Sequence, residues 1–173
     1  MAKLDLKKYI RDIPDFPKPG ILFKDITTLL SDPEAFGYSI EAIADSFKNN
    51  KIDAIVAVEA RGFIFGGAVA NKLKAGFIPV RKRGKLPWKT KSVSYELEYG
   101  TDSLEIHQDA IKPGGRILIV DDLLATGGTV KAVTDLVKEM QDVVAGVAFV
   151  IELGFLKGRE KLKDYPVVSL IQY

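Results

Sequence analysis

Two acids and a glycine-threonine loop stand together in the second half of the sequence: Asp121 and Asp122, then Ala125, Thr126, Gly127, Gly128 and Thr129. Adjacent glycines allow positive φ and let the backbone come close to a ligand. Where such a loop opens a helix, unpaired N–H groups and the helix dipole favour an anion, and the threonine hydroxyls add donors. The acids have a different use. Carboxylates accept hydrogen bonds from sugar hydroxyls, and they can help hold Mg²⁺ directly or through water. Phosphate on the loop and ribose hydroxyls on the acids together describe a ribose-5-phosphate. The loop is not a P-loop, because no Gly-Lys-Ser/Thr follows the first glycine, nor is it Gly-x-Gly-x-x-Gly. The plainer reading is a strand end with a capping Asp and a glycine turn. That needs one acid, not two.

The elements that position these residues are legible on either side. Ile117 to Val120 is an unbroken apolar run, the pattern of an inner strand buried on both faces of a parallel sheet. Val130, Val133, Leu136, Val137 and Met140 recur at helical spacing after the loop. Strand, loop and helix place the acids and the loop at the carboxyl edge of the sheet, where open α/β folds bind ligands. The arrangement occurs once before. Asp53 to Val58 predicts a buried strand, followed by Glu59-Ala60-Arg61-Gly62 and a helix through Lys74 that Gly76 stops. Arg61 suits a diphosphate, since guanidinium forks match phosphate oxygens. A surface pair with Glu59 is the competing reading.

Phe77 to Val80 predicts a further strand. Arg81 to Lys91 then carries six positive charges in eleven residues and no acid. Beside a phosphate site this basic loop would be a mobile electrostatic lid. A solvated lysine-rich loop is the ordinary alternative, and nucleic-acid binding a third. Ser92 to Tyr99 alternates apolar and polar residues and returns through Gly100-Thr101-Asp102 into Leu104-Glu105-Ile106, an antiparallel hairpin. Residues 3 to 12 predict a short amphipathic helix. Pro14, Pro17, Pro19 and Gly20 then stiffen a loop that delivers Ile21 to Ile26, a wall for a flat ligand unless Phe23 packs in the core. Ser31-Asp32-Pro33-Glu34 starts a helix that runs to Asn49. Val143 to Leu153 and Val167 to Ile171 predict two last strands, with a short helix or loop from Gly158 to Leu162. The expected fold is α/β, a central mostly parallel sheet flanked by helices.

A chain of 173 residues with 47% apolar and 28% charged residues fits one soluble domain, residues 1–173. A net charge of +2 gives no reason to expect nucleic acid or a membrane surface as partner. The absence of cysteine excludes a disulfide framework, a thiol nucleophile and a thiolate metal site. No apolar run reaches transmembrane length and the N-terminus lacks a signal-peptide core, so the cytoplasm is the expected location.

Val120 to Thr129 resembles the phosphoribosyl pyrophosphate motif of the type I phosphoribosyltransferases, and Leu-Leu-Ala-Thr-Gly-Gly-Thr is close to the wording of the adenine-specific branch. Phe16 to Ile26 is similar to that branch's adenine-binding segment. The resemblance implies that Phe23 stacks on the purine and the Leu22 backbone reads its amino edge. Lys24 lies in the same segment, and Leu123 covers the other face. Glu59 to Gly66 matches the pyrophosphate loop, which implies a diphosphate contact at Arg61 and a non-proline cis bond between Ala60 and Arg61. Arg81, Lys82 and Lys85 would close over the diphosphate, with Arg81-Lys82 reaching a partner subunit's site. Tyr95 to Gly100 is similar to the segment near the reacting centre and makes Glu98 the candidate acid/base. His107 has no nucleophile to pair with and is read as structural. Gln108 stands where many relatives have Lys. A small hood (about residues 1–30) and a flexible lid hairpin (about 81–108) are implied. So is transfer of ribose-5-phosphate from phosphoribosyl pyrophosphate to adenine, giving AMP and pyrophosphate in purine salvage. Mg²⁺ would be held mainly through substrate and water, with Asp121 and Asp122 on the ribose and a homodimer as the assembly. Another purine as acceptor, or a nucleotide sensor on the same fold, are the rivals.

Overall fold

A computed structural model describes residues 4–96 and 101–173. After a 3₁₀ turn (Leu6–Tyr9) come β1 (Arg11–Pro14), β2 (Leu22–Asp25), α1 (Thr27–Ser31) and α2 (Pro33–Phe47). Next are β3 (Ala54–Val58), α3 (Gly62–Leu73), β4 (Gly76–Lys82), β5 (Thr90–Glu96) and β6 (Thr101–His107). The chain continues with β7 (Arg116–Leu124), α4 (Gly128–Glu139), β8 (Val143–Glu152), two 3₁₀ turns (Gly154–Leu156 and Gly158–Leu162) and β9 (Val167–Gln172).

Seven strands form one sheet in the order β5-β6-β4-β3-β7-β8-β9. The run from β4 to β9 is parallel throughout, while β6 pairs antiparallel with β4 and with β5. The apolar strands are inner because both of their faces are covered. Val56, Val58, Ile117, Ile119 and Phe149 pack with Val133, Leu136 and Val137 of α4 on one face. Ile55, Leu118, Val120 and Val150 pack with Phe65 and Val69 of α3 and Ile43 and Phe47 of α2 on the other. The helix start at Asp32 follows its sequence signature: the carboxylate accepts the Ala35 N–H at 2.9 Å, and Pro33 fills the first position.

Three expectations are corrected. The N-terminal helix is only the Leu6–Tyr9 turn, and Arg11–Pro14 is instead a strand paired with Leu22–Asp25. Pro14 explains this: the residue before a proline is driven to extended backbone, and a strand end tolerates the missing N–H. Arg11 locks the hairpin with two bonds to Asp25, at 2.9 and 2.6 Å. The helix after Arg61 is ended by Lys74 itself, which adopts the left-handed conformation (φ 55°) assigned to Gly76 from the sequence. The strand expected over Ile117 to Val120 does not end there; β7 carries on through both acids to Leu124.

Candidate active site

The acids stand where β7 changes phase. Ile117 and Ile119 belong to the α4-side core and Leu118 and Val120 to the α3 side, yet Leu123 faces the α3 side and Leu124 the α4 side. Asp121 and Asp122 fill the two positions between. Asp121 Oδ1 accepts the Asp122 N–H at 2.9 Å. The first residue of α3 presses on the same carboxylate. A Cβ at Gly62 would lie 2.6 Å from Asp121 Oδ1, so only glycine lets the helix start this close. Burial, and then the neighbouring Asp122 charge, push Asp121 well above the ordinary carboxylate range. Burial also raises Asp122, against the opposing pull of Arg61.

Arg61 reaches across from the end of β3. Its Nη2 is 2.8 Å from Asp122 Oδ2, an ion pair by distance. The two groups are not aligned as a hydrogen bond, and Asp122 Oδ2 is a buried acceptor without an aligned donor among the described residues. The guanidinium also lies 5.2 Å from the Phe23 ring centroid. One side chain therefore touches the acid pair and the hood. The cis peptide of this loop joins Glu59 and Ala60, one bond earlier than expected.

Glu59, Arg61, Lys82, Asp121, Asp122 and Thr129 line a cavity of about 240 Å³ at the carboxyl edge of the sheet. A larger one, about 440 Å³, lies at the opposite edge around Asp53, Gly76 and Gly115, away from all these groups. The cations expected to meet a diphosphate are held by carboxylates. Glu59 accepts from Arg81 Nη2 at 3.2 Å, Lys85 Nζ at 3.0 Å and the Lys82 N–H at 2.7 Å. Burial alone would raise Glu59, but these donors outweigh it and leave its pKa below the ordinary value. The Lys82 ammonium pairs with Asp102 at 2.9 Å, which lowers the acid and raises the lysine.

The loop from Ala125 to Gly127 opens α4 as the sequence predicts. Gly127 takes φ +77°, and Gly128 begins the helix. The first N–H groups of a helix have no partner within it, so this end presents donors to an anion. Behind the loop stands a residue that the sequence reading left without a role. A Cβ at Gly127 would meet the Gly158 carbonyl oxygen at 2.6 Å, and one at Gly158 would overlap the Ala125 carbonyl. No local signal marks this, because the two glycines are 31 positions apart.

The hood residues divide. Phe23 is half-buried and meets Phe16 edge-on, with centroids 5.1 Å apart. Leu22 is exposed, and Leu123 is half-buried. Lys24, grouped with the adenine segment, has its ammonium elsewhere: 2.7 Å from Asp12 Oδ1 and 3.7 Å from the Tyr173 ring centroid. Its side chain ties the hairpin to the C-terminal residue instead of facing the cavity. Glu98 lies outside the described residues. The His107 carbonyl accepts the Ala110 N–H, and its Nε2 is buried without a partner among the described residues.

A domain model described as the phosphoribosyl transferase domain matches residues 26–172. A curated relative from Desulfitobacterium hafniense, an adenine phosphoribosyltransferase, is 59% identical over 173 residues, covering 100% of both chains. The crystal structure of adenine phosphoribosyltransferase from Thermoanaerobacter pseudethanolicus superposes with a TM-score of 0.94 at 56% identity, covering 98% of each chain. The Saccharomyces cerevisiae enzyme, complexed with an imino-altritol bisphosphate and adenine, gives 0.91 at 44% identity over 96% of each. The chain belongs to the phosphoribosyl transferase family, and within it to the adenine phosphoribosyltransferases.

Proposed function

We infer that this protein transfers ribose-5-phosphate from phosphoribosyl pyrophosphate to N9 of adenine, releasing pyrophosphate and forming AMP. The observation that carries the reading is the single cavity shared by Arg61, Lys82, Asp121, Asp122 and Thr129. It places cations, acids and the phosphate loop within reach of one small ligand.

Breaking the C1–O bond leaves positive charge on the ribose and negative charge on the departing diphosphate. The protein therefore needs oriented charge more than a nucleophile. Asp121 and Asp122 accept the ribose hydroxyls. Asp122 Oδ2, buried and without an aligned donor, suits such a hydroxyl. Residues Ala125 to Thr129 take the 5′-phosphate. Arg61, Arg81, Lys82 and Lys85 meet the diphosphate, exchanging their carboxylate partners for it. Phe23 stacks on the purine, which lies between it and Leu123, and the Leu22 backbone reads the amino edge. As N9 bonds to C1, the purine proton passes to Glu98, the proposed acid/base.

Mg²⁺ fits this donor set. The ion favours oxygen ligands, one or two carboxylates with substrate phosphates and water. Among the described residues no group of three acids or histidines forms a cage for it. Asp121 and Asp122 would flank an ion carried by the diphosphate, which would supply countercharge to the leaving group. Ile64 and Phe77 are 40% and 38% exposed, and Phe63 packs edge-on against Phe77. This apolar surface across α3 and β4 supports a homodimer. Cysteine-free composition supports a cytoplasmic location, and no helix among the described residues is long and apolar enough to cross a membrane.

The test is incubation with Mg²⁺, phosphoribosyl pyrophosphate and adenine, hypoxanthine or guanine in turn, following nucleotide and pyrophosphate. AMP formation with adenine alone is expected. Turnover of hypoxanthine but not adenine overturns the base, and donor binding without pyrophosphate release overturns the enzyme reading.

A further inference from the structure

We propose that Arg159 and Glu152 form a clamp that shapes the 5′-phosphate subsite from behind, through Gly158. Arg159 is a positioning residue, and the inference rests on the phosphate loop being that subsite.

The contact with the loop is backbone against backbone. Gly127 and Gly158 are packed so closely that a Cβ on either would strike the other segment. Gly158 follows Lys157, which is in the left-handed conformation (φ 54°), and opens the turn Gly158–Leu162. Such a turn has little stability of its own. It is fastened at both ends. Leu162 is buried in the α4-side core at 1% exposure. At the other end Arg159 spends its whole guanidinium on β8 and β9. Nε donates to Glu152 Oε1 at 2.9 Å, and Nη2 donates to Glu152 Oε2. Nη1 donates to the Val167 carbonyl at 3.0 Å, and Nη2 also reaches Ser169 Oγ at 3.1 Å.

Glu152 is the right anchor for this purpose. It is 5% exposed and sits opposite Leu124, the last residue of β7 before the loop. The next N–H, from Leu153, donates to the Leu124 carbonyl at 2.9 Å. The ion pair thus fixes Gly158 relative to the strand that launches the loop. A planar, forked cation makes all four bonds at once, and an ammonium cannot. The clamp shares no bond with Glu59 or the cations on it, so its influence is expected at one end of the substrate only.

Calorimetric titration with two ligands reads this out. Ribose-5-phosphate engages the loop, whereas pyrophosphate with Mg²⁺ engages the cation side. Arg159→Lys is expected to weaken ribose-5-phosphate about tenfold, as a displaced loop loses aligned donors, and to leave pyrophosphate within about twofold of the unaltered protein. KM for phosphoribosyl pyrophosphate should rise by a similar factor while kcat changes little. Gly158→Ala leaves the ion pair's groups in place and should give the same ligand-selective loss, so it decides the matter if Arg159→Lys does not fold. Equal loss of both ligands, or loss of neither, in a folded variant overturns the clamp. Failure of the unaltered protein to bind ribose-5-phosphate would instead overturn the functional reading.

Discussion

Gly62→Ala tests whether the start of α3 fixes the Asp121 carboxylate. The new methyl would sit 2.6 Å from Asp121 Oδ1 and 3.4 Å from the Val120 carbonyl oxygen. The second distance is ordinary contact and the first is not, so the carboxylate must give way by about 0.8 Å to reach the same 3.4 Å. Overpacking of a well-filled site costs about 1–3 kcal/mol. The obstruction here is a side chain able to rotate, which places the loss of stability near the lower end, at about 1 kcal/mol. The catalytic effect should be larger. If Asp121 holds the ribose as proposed, an error of this size costs about 10- to 100-fold in kcat/KM, or about 1.4–2.7 kcal/mol. Asp121→Ala removes the obstruction. In that background Gly62→Ala should no longer destabilise and should gain a few tenths of a kcal/mol from the better helix former, about what propensity allows. Urea unfolding of the four proteins gives the coupling, and steady-state rates of the first two give the catalytic term. Turnover within twofold of the unaltered enzyme, or an undiminished stability loss in the Asp121→Ala background, would refute the argument.

Asp122→Asn should reduce donor use by about 100-fold or more, a loss typical of a group aimed at developing charge, while the fold tolerates it. Its raised pKa means the folded state holds the proton more tightly, so its penalty grows as pH climbs from the unfolded value through the folded one. The variant's urea midpoint should fall less over that interval, and an unaltered pH profile would count against it. Asp25 behaves in the opposite sense. The Thr27 N–H and then Arg11 lower it to about 2, so its contribution is complete above the ordinary value of 3.8 and is lost as pH falls through about 2. Asp25→Asn should flatten the acid limb of thermal stability, and identical limbs would remove the hairpin lock from the account. Glu59→Gln should strengthen pyrophosphate binding several-fold at low salt, with the gain shrinking as salt screens the freed cations; weaker binding would show that Glu59 assists the anion.

What the sequence revealed, it revealed through local pattern. Ile117 to Val120 reads as a doubly buried strand, and Ala125 to Thr129 as a tight loop into a helix. The loop stands where expected, and the strand does too but runs on to Leu124. The alternation from Ser92 to Tyr99 likewise announced the hairpin strand, which is seen over Thr90–Glu96, while residues 97–99 lie outside the described residues. The failures arise where distant segments decide. From the sequence Lys24 belongs with the adenine segment, yet Asp12 and the ring of Tyr173 hold its ammonium elsewhere. Residues 3–12 have helical spacing, but the partner strand at Leu22–Asp25 claims their last two, Arg11 and Asp12. Gly158 carries no local signature, because its role depends on a backbone brought to it by the sheet. The spacing of Arg61 and Glu59 allows them as mutual partners, but the fold gives each another one.

The arrangement of Arg61, Arg81, Lys82 and Lys85 has a consequence for selectivity. Each of these cations pairs with a tethered internal carboxylate before any substrate arrives, with Arg81 and Lys85 sharing Glu59. A stray phosphate or chloride that touches one of them must evict a carboxylate that cannot diffuse away, and gains little by doing so. A molecule that simultaneously fills the loop, satisfies the acids and carries two linked phosphates can outbid all the internal partners together. Such pairing would favour the linked diphosphate over abundant simple ions without needing a tight door.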